Sequence, residues 1–138
     1  MKNLNKSNIR LFVREVLNEF ISRRELGDVE SYADNLFNDV NIDIEFSSHF
    51  LDRVNDPRNG EDIMTDELID LFTKTYNKHG QKIPNFRSGT EAVINDINSN
   101  INIPFILTWN KHKKEFELVG KTIMRKKDFK TPNFKLKV

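Results

Sequence analysis

The sequence predicts an α+β domain: N-terminal helices packed on an antiparallel β-meander. Two observations carry this. Apolar residues recur at spacings of three and four in the first half, and they alternate with polar residues in two later stretches. The resulting order of helix, strand, two helices and then a run of strands is the pattern of helices segregated to one side of a sheet. No internal repeat and no low-complexity linker interrupts it.

Ser7 to about Arg24 reads as an amphipathic helix, with Ser7 as cap and Ile9, Phe12, Val13, Val16, Phe20 and Ile21 on one side. Arg10, Arg14, Asn18 and Arg24 lie opposite. Two readings stand for this helix, packing on the domain core or docking a partner protein. Gly27 is expected to end it, and the acidic stretch Ser31–Phe37 to form a second short helix. The domain boundary is set here, with residues 1–36 as a helical extension and 37–138 as the main domain.

Val40 to Phe46 alternates Val40, Ile42, Ile44 and Phe46 against Asn41, Asp43 and Glu45, so a half-buried strand is expected. Ser47 or Ser48 is expected to cap a short helix to about Asn55, with Phe50, Leu51 and Val54 inward. Asn55 to Gly60 is turn chemistry. Thr65 starts a longer helix, Asp66 to about Lys78, with acidic residues at its positive end and Lys78 and His79 at its negative end. Ala92-Val93-Ile94 suits a short strand. Ile101, Ile103, Phe105, Leu107 and Trp109 alternate over nine residues, and a polar hairpin at 110–114 leads to a return strand from Phe116 to about Arg125. Pro104 places the first hairpin strand at a sheet edge or delays its pairing. Lys126 to Val138 reads as a basic tail laid over the domain.

The 138-residue chain carries 22 Lys+Arg against 21 Asp+Glu, 37% hydrophobic residues, three His and no Cys. One domain with a real core fits that length. The absence of Cys excludes a disulfide scaffold, a thiolate metal site and a cysteine nucleophile. No apolar run approaches the ~18–20 residues needed to span a bilayer, and no apolar stretch of a secretory leader follows Met1-Lys2. The expected location is therefore cytoplasmic, without membrane contact. The net charge of +1 conceals an asymmetry. Residues 1–70 hold 8 basic and 16 acidic side chains (−8), residues 71–109 hold 4 and 2 (+2), and residues 110–138 hold 10 and 3 (+7). That split points to a polyanion-facing C-terminal end.

No Walker A motif, Gly-x-Gly-x-x-Gly fingerprint, His-Glu-x-x-His pair or Gly-x-Ser-x-Gly elbow is present. Asp39 and Asp43 have the charge for Mg²⁺ but read as a solvated face, and no metal site or cofactor is expected. Two clusters remain. His49 and Arg53 are four apart, so on a helix they share a face separate from Phe50, Leu51 and Val54. A histidine that titrates near neutrality beside a permanent cation suits phosphate chemistry. The competing reading has His49 capping the helix or pairing with Asp52 or Glu45. The second cluster is Gly120-Lys121-Thr122-Ile123-Met124-Arg125-Lys126. On a strand, Lys121 and Arg125 share one face about 13 Å apart, suited to tracking a phosphate backbone. Equally, Lys and Arg guard an edge strand against aggregation.

His49-x-x-x-Arg53-Val54, an Arg58-bearing turn, a Thr65-started helix and a meander ending Lys121-Thr122-Ile123-Met124-Arg125-Lys126 together resemble the phage-encoded branch of the barnase–EndoU–colicin–RelE (BECR) superfamily of small nucleases and toxins. The resemblance runs from about Val40 to Lys127. It implies a RelE-like α+β fold and a metal-independent ribonuclease, or a catalytically lapsed relative, that makes the RNA 2′-OH attack the adjacent phosphorus. His49 would be the general base or acid, and Arg53 and Arg125 would stabilise the phosphorane oxygens. Lys121, Thr122, Arg58 and Lys126 would hold substrate. Thr122 is drawn the other way by its register with Phe116 and Leu118. No second His is well placed, because His79 ends a helix and His112 sits in a hairpin.

Three functions follow. The first is a small RNA-cleaving, toxin-like domain acting in the cytoplasm of an infected host, with a neutralising partner. The second is a non-catalytic protein of the same fold that binds nucleic acid. The third is a virion or assembly protein docked through the Ile9–Ile21 helix.

Overall fold

The computed structural model describes residues 21–138. The helix expected from Ser7 lies outside them as far as Phe20, and with it most of the Ile9–Ile21 docking face. Where the description begins, Ser22 starts a new helix. Its hydroxyl accepts from the Glu25 N–H at 3.1 Å, and the Glu25 carboxylate accepts from the Ser22 N–H at 3.1 Å. This reciprocal cap launches α1, Arg23–Phe37, whose inward side is Leu26, Val29, Ala33 and Phe37.

Gly27 therefore does not end a helix but sits in the first turns of one. Among the described residues, a Cβ there would have nothing within 4 Å. The cost of glycine in a helix, about 1 kcal/mol, is offset by the packed face and the cap. Ser31–Phe37 is the second half of the same helix, which runs through the boundary expected at residue 36 and contributes Phe37 to the core.

A 3-10 turn at Asn38–Val40 and a left-handed Asn41 (φ 61°) precede β1, Ile42–Phe46. Val40 is thus outside the strand despite its place in the alternation. Next come α2, Phe50–Val54, and α3, Thr65–His79. Neither Ser47 nor Ser48 caps α2. His49 occupies the cap position without a side-chain bond, and the Ser47 hydroxyl donates instead to the Lys121 carbonyl at 2.7 Å. The sheet is completed by β2, Thr90–Asn95, β3, Ile101–Asn110, β4, Glu115–Gly120, β5, Met124–Arg125, and β6, Phe134–Lys137.

The sheet order is β1-β4-β3-β2-β6, with β5 beside β3. The β2-β3-β4 meander is antiparallel as expected, but both outer strands are parallel to their neighbours, β1 to β4 and β6 to β2. The sheet is therefore mixed, and the basic tail is not merely laid over the domain but ends as an edge strand. β3 is central rather than marginal. Its Pro104 is tolerated because the missing N–H would point toward the β4 side, where the Pro104 carbonyl accepts from Lys121 N just as β4 stops. The return strand breaks there, and residues 121–123 bulge away before β5 pairs with Ile101 and Asn102.

One core lies between the helices and one face of the sheet. It joins Phe37, Phe50, Leu68, Leu71 and Phe72 to Ile42, Ile44, Ile103, Phe105, Leu107 and Leu118. The opposite face carries Glu91, Asn95, Thr108, Glu117 and Lys135 among the apolar Val93, Pro104, Ile106 and Val119, and Val93 on it is buried. Among the described residues no helix is long and apolar enough to cross a membrane.

Candidate functional site

Close packing at the end of β1 places the first cluster. Phe46 stacks on Phe50 with ring centroids 4.2 Å apart and planes 9° apart. A Cβ on Gly120 would lie 3.2 Å from both rings, so any larger residue would push the pair by a few tenths of an ångström, and glycine lets β4 end directly against it. The Ser47 N–H donates to the Gly120 carbonyl at 2.9 Å, tying the start of α2 to the end of β4. Arg53 N in turn bonds the His49 carbonyl, so the two side chains rise from one short helical turn.

The far end of α2 is held by two buried asparagines. The Asn55 carboxamide accepts from Ile21 N and donates to the Ile21 and Leu51 carbonyls. The Asn59 amide donates to the Arg53 and Val54 carbonyls, and its oxygen accepts from Arg125 N at 3.0 Å. Asn59 thereby caps the helix and joins it to β5. On the other side of β5, the fully buried Asn102 amide donates to the Asn100 and Lys126 carbonyls, both at 3.0 Å.

Between α2, the Asp56–Asn59 turn and residues 121–126 lies a groove of about 730 Å³. Its walls include His49, Arg53, Arg58, Lys121, Thr122, Arg125 and Lys126, every residue that the sequence nominates for catalysis or substrate binding. Their charged ends differ sharply. Arg58 is 76% exposed and bonds Asp56 through Nε and Nη2, while Arg53 is 48% exposed and 3.6 Å from the same carboxylate. The bonds from Arg58 hold the Asp56 carboxyl down to about 2. Such exposed pairs contribute little, roughly 0–1 kcal/mol, and exchange partners readily. The side chains of His49 and Lys126 have no partner among the described residues.

Lys121 and Arg125 are committed elsewhere. The Lys121 ammonium reaches across the open sheet face to Glu91 on β2, at 2.7 Å. Arg125 is 12% exposed, and its Nε and both Nη atoms are taken. They bond both Glu67 carboxylate oxygens and the carbonyls of Glu61, Asp62 and Ser99. A guanidinium has five N–H donors, so none remains for a phosphate. Arg125 staples the turn after α2, the start of α3 and the β2–β3 turn to β5. Sequence reading missed Asn55, Asn59 and Asn102. The only signal for Asn55 and Asn59 was turn-forming composition, Asn102 gave none within its strand, and each also bonds a partner two dozen or more residues away.

Along the free edge of β1 the charge is of opposite sign. Glu30 and Asp34, one turn apart on α1, accept from the outward N–H groups of Phe46 and Ile44 at 3.2 and 2.6 Å. They cover the free edge of the strand, with Asp43 and Glu45 beside them. Burial, opposed by the Ile44 N–H, pushes Asp34 up to about 7. A hydrogen bond to Asp43, with burial, takes Glu45 up to about 7, and burial raises Glu30. Asp39 is not part of this seam and accepts from the Tyr76 hydroxyl. Among the described residues no group of three or more His, Asp or Glu side chains is set to hold a metal ion. His79 bonds the Lys137 carbonyl at 2.9 Å, joining α3 to β6, and His112 lies in the exposed β3–β4 turn.

The chain matches no family model, no curated protein and no solved structure.

Proposed function

We propose that the groove between α2 and β5 binds RNA through its phosphates and cleaves it without a metal ion, as a small toxin-like ribonuclease of the BECR kind. The observation that carries this is the gathering of His49 with the free or loosely paired cations of Arg53, Arg58 and Lys126 along one groove. His49 acts as the proton-transfer group. The 2′-oxygen attacks phosphorus as its proton leaves to the imidazole, the bond to the 5′-oxygen breaks, and a 2′,3′-cyclic phosphate and a 5′-hydroxyl form. Arg53 and Arg58 leave Asp56 to bind the phosphorane oxygens. Lys126 holds a neighbouring phosphate, and Thr122 lines the groove wall. Arg125 and Lys121 serve as framework rather than as charge stabilisers, and water supplies the second proton.

The test is incubation of the purified chain with single-stranded RNA in EDTA. The expected result is cleavage that ends in 2′,3′-cyclic phosphate, spares DNA, and falls by about 10²-fold or more in His49→Ala, as for loss of a general acid–base. RNA left intact would sink the cleavage reading.

One observation favours a second reading, binding without cleavage. His49 is the single histidine among the groove's lining residues, so no second imidazole stands ready to relay a proton, and the two strand-borne cations point away to Glu91 and Glu67. That reading predicts tight, salt-sensitive RNA binding with no product, unchanged by His49→Ala.

A further inference from the structure

A second cavity, of about 620 Å³, shares Asn59 and Arg125 with the groove and lies toward α3 and the β2–β3 turn. Its chemistry is unlike that of the groove. The groove is walled by one carboxylate and five cations, whereas the second cavity has four carboxylates and three cations. Two of those carboxylates are spent, Glu67 on Arg125 and Asp96 on Lys74, Ser99 and the Asn98 N–H. Two face the space with acceptor capacity to spare. Glu61 has no side-chain partner among the described residues, and Asp70 is 65% exposed and only 3.3 Å from Lys74. The exposed Asn98 adds a carboxamide without a partner among the described residues.

We infer that this cavity receives a nucleobase of the strand whose phosphates lie in the groove, and that it selects bases bearing an amino group over uracil. The inference rests on the RNA reading of the groove. Excess carboxylate repels a phosphate, so the strand's charged backbone stays on the groove side of Arg125. The volume is that of a small-ligand site, and the polar wall offers the ligand hydrogen bonds rather than apolar contact. Single-stranded RNA is read through the edges of unstacked bases. Carboxylates accept from amino groups, as in their pairing with cytosine N4. Cytosine, adenine and guanine each present such a donor to Glu61 or Asp70. Uracil presents one N–H between two carbonyl oxygens, which a carboxylate repels.

The experiment uses the full chain and fluorescein-labelled 2′-O-methyl 12-mers of A, C and U, which lack the attacking hydroxyl and cannot be cut. Anisotropy should show oligo(C) and oligo(A) binding about five-fold or more tighter than oligo(U), the equivalent of ~1 kcal/mol per good base contact. The doubly substituted Glu61→Gln/Asp70→Asn chain should lose that preference and hold oligo(U) within about two-fold of wild type. Equal binding of the three oligomers, or a preference that survives the double substitution, overturns this inference alone. Failure to bind any of them overturns the RNA reading and this inference together.

Discussion

The free edge of β1 and the groove beyond its end solve opposite electrostatic problems. On the α1 side, four carboxylates crowd the edge of the strand, and its free N–H groups are satisfied by Glu30 and Asp34. Burial, and after it the neighbouring Asp43, pushes Asp34 up to about 7, and a hydrogen bond to Asp43, burial and the like charges around it take Glu45 up to about 7. At the end of the same strand, the groove holds an excess of cations, of which Arg53 and Arg58 share a single carboxylate. The seam is structural and its charges have nowhere to go. The groove's exposed cations can change partners at small cost, and Arg125 shows the contrast within the groove itself, mostly shielded from solvent and saturated.

The largest effect is expected where that saturation is broken. Arg125→Met should destabilise the fold by about 3–5 kcal/mol, because it strands the partly buried Glu67 and three carbonyls. Urea denaturation measures this, and a loss below about 1 kcal/mol would mean that the staple is no stronger than the exposed pairs around Asp56. Asn59→Ala should cost about 1–3 kcal/mol by the same measurement, since it opens the link from α2 to β5.

The seam should show itself in pH. Asp34 and Glu45 bind protons more tightly folded than unfolded, so their contribution is complete below about pH 4 and is lost as pH rises through about 7. Melting should therefore occur at lower temperature at pH 8.5 than at pH 5.5, by the equivalent of about 1 kcal/mol after solvent screening. Asp34→Asn keeps an oxygen for Ile44 N and should remove much of the difference. A pH dependence unchanged by Asp34→Asn would show that proton uptake by Asp34 is not coupled to folding. The smallest effect is local. Gly27→Ala adds a methyl group into open space within a helix and should raise stability by about 0.5–1 kcal/mol.

Local features were legible in the sequence, and non-local ones were not. The alternation of β3 and the polar hairpin depend on neighbours along the chain and stand as read, while His49 and Arg53 both line one groove with His49 at the cap position rather than within the helix. The helix through Gly27 was missed because packing of Leu26, Val29 and Ala33 outweighs one residue's propensity. The parallel edges were missed because alternation reports which face is buried and says nothing of strand direction. Arg125 looked like Arg53 in sequence. What separates them is Glu67, 58 residues away, and three carbonyls that only the fold brings to it.

The central claim is that Arg53 and Arg58, the exposed cations of the groove, trade Asp56 for RNA phosphates. The direct measurement is the salt dependence of binding of a 2′-O-methyl oligo(C) 12-mer to wild type and to Arg53→Gln/Arg58→Gln. Each phosphate contact on a single strand contributes about 0.7 to the slope of log K against log salt. The double substitution should therefore flatten that slope by roughly 1.4 and weaken binding at low salt. An unchanged slope and affinity would contradict the claim and place any RNA contact elsewhere on the molecule.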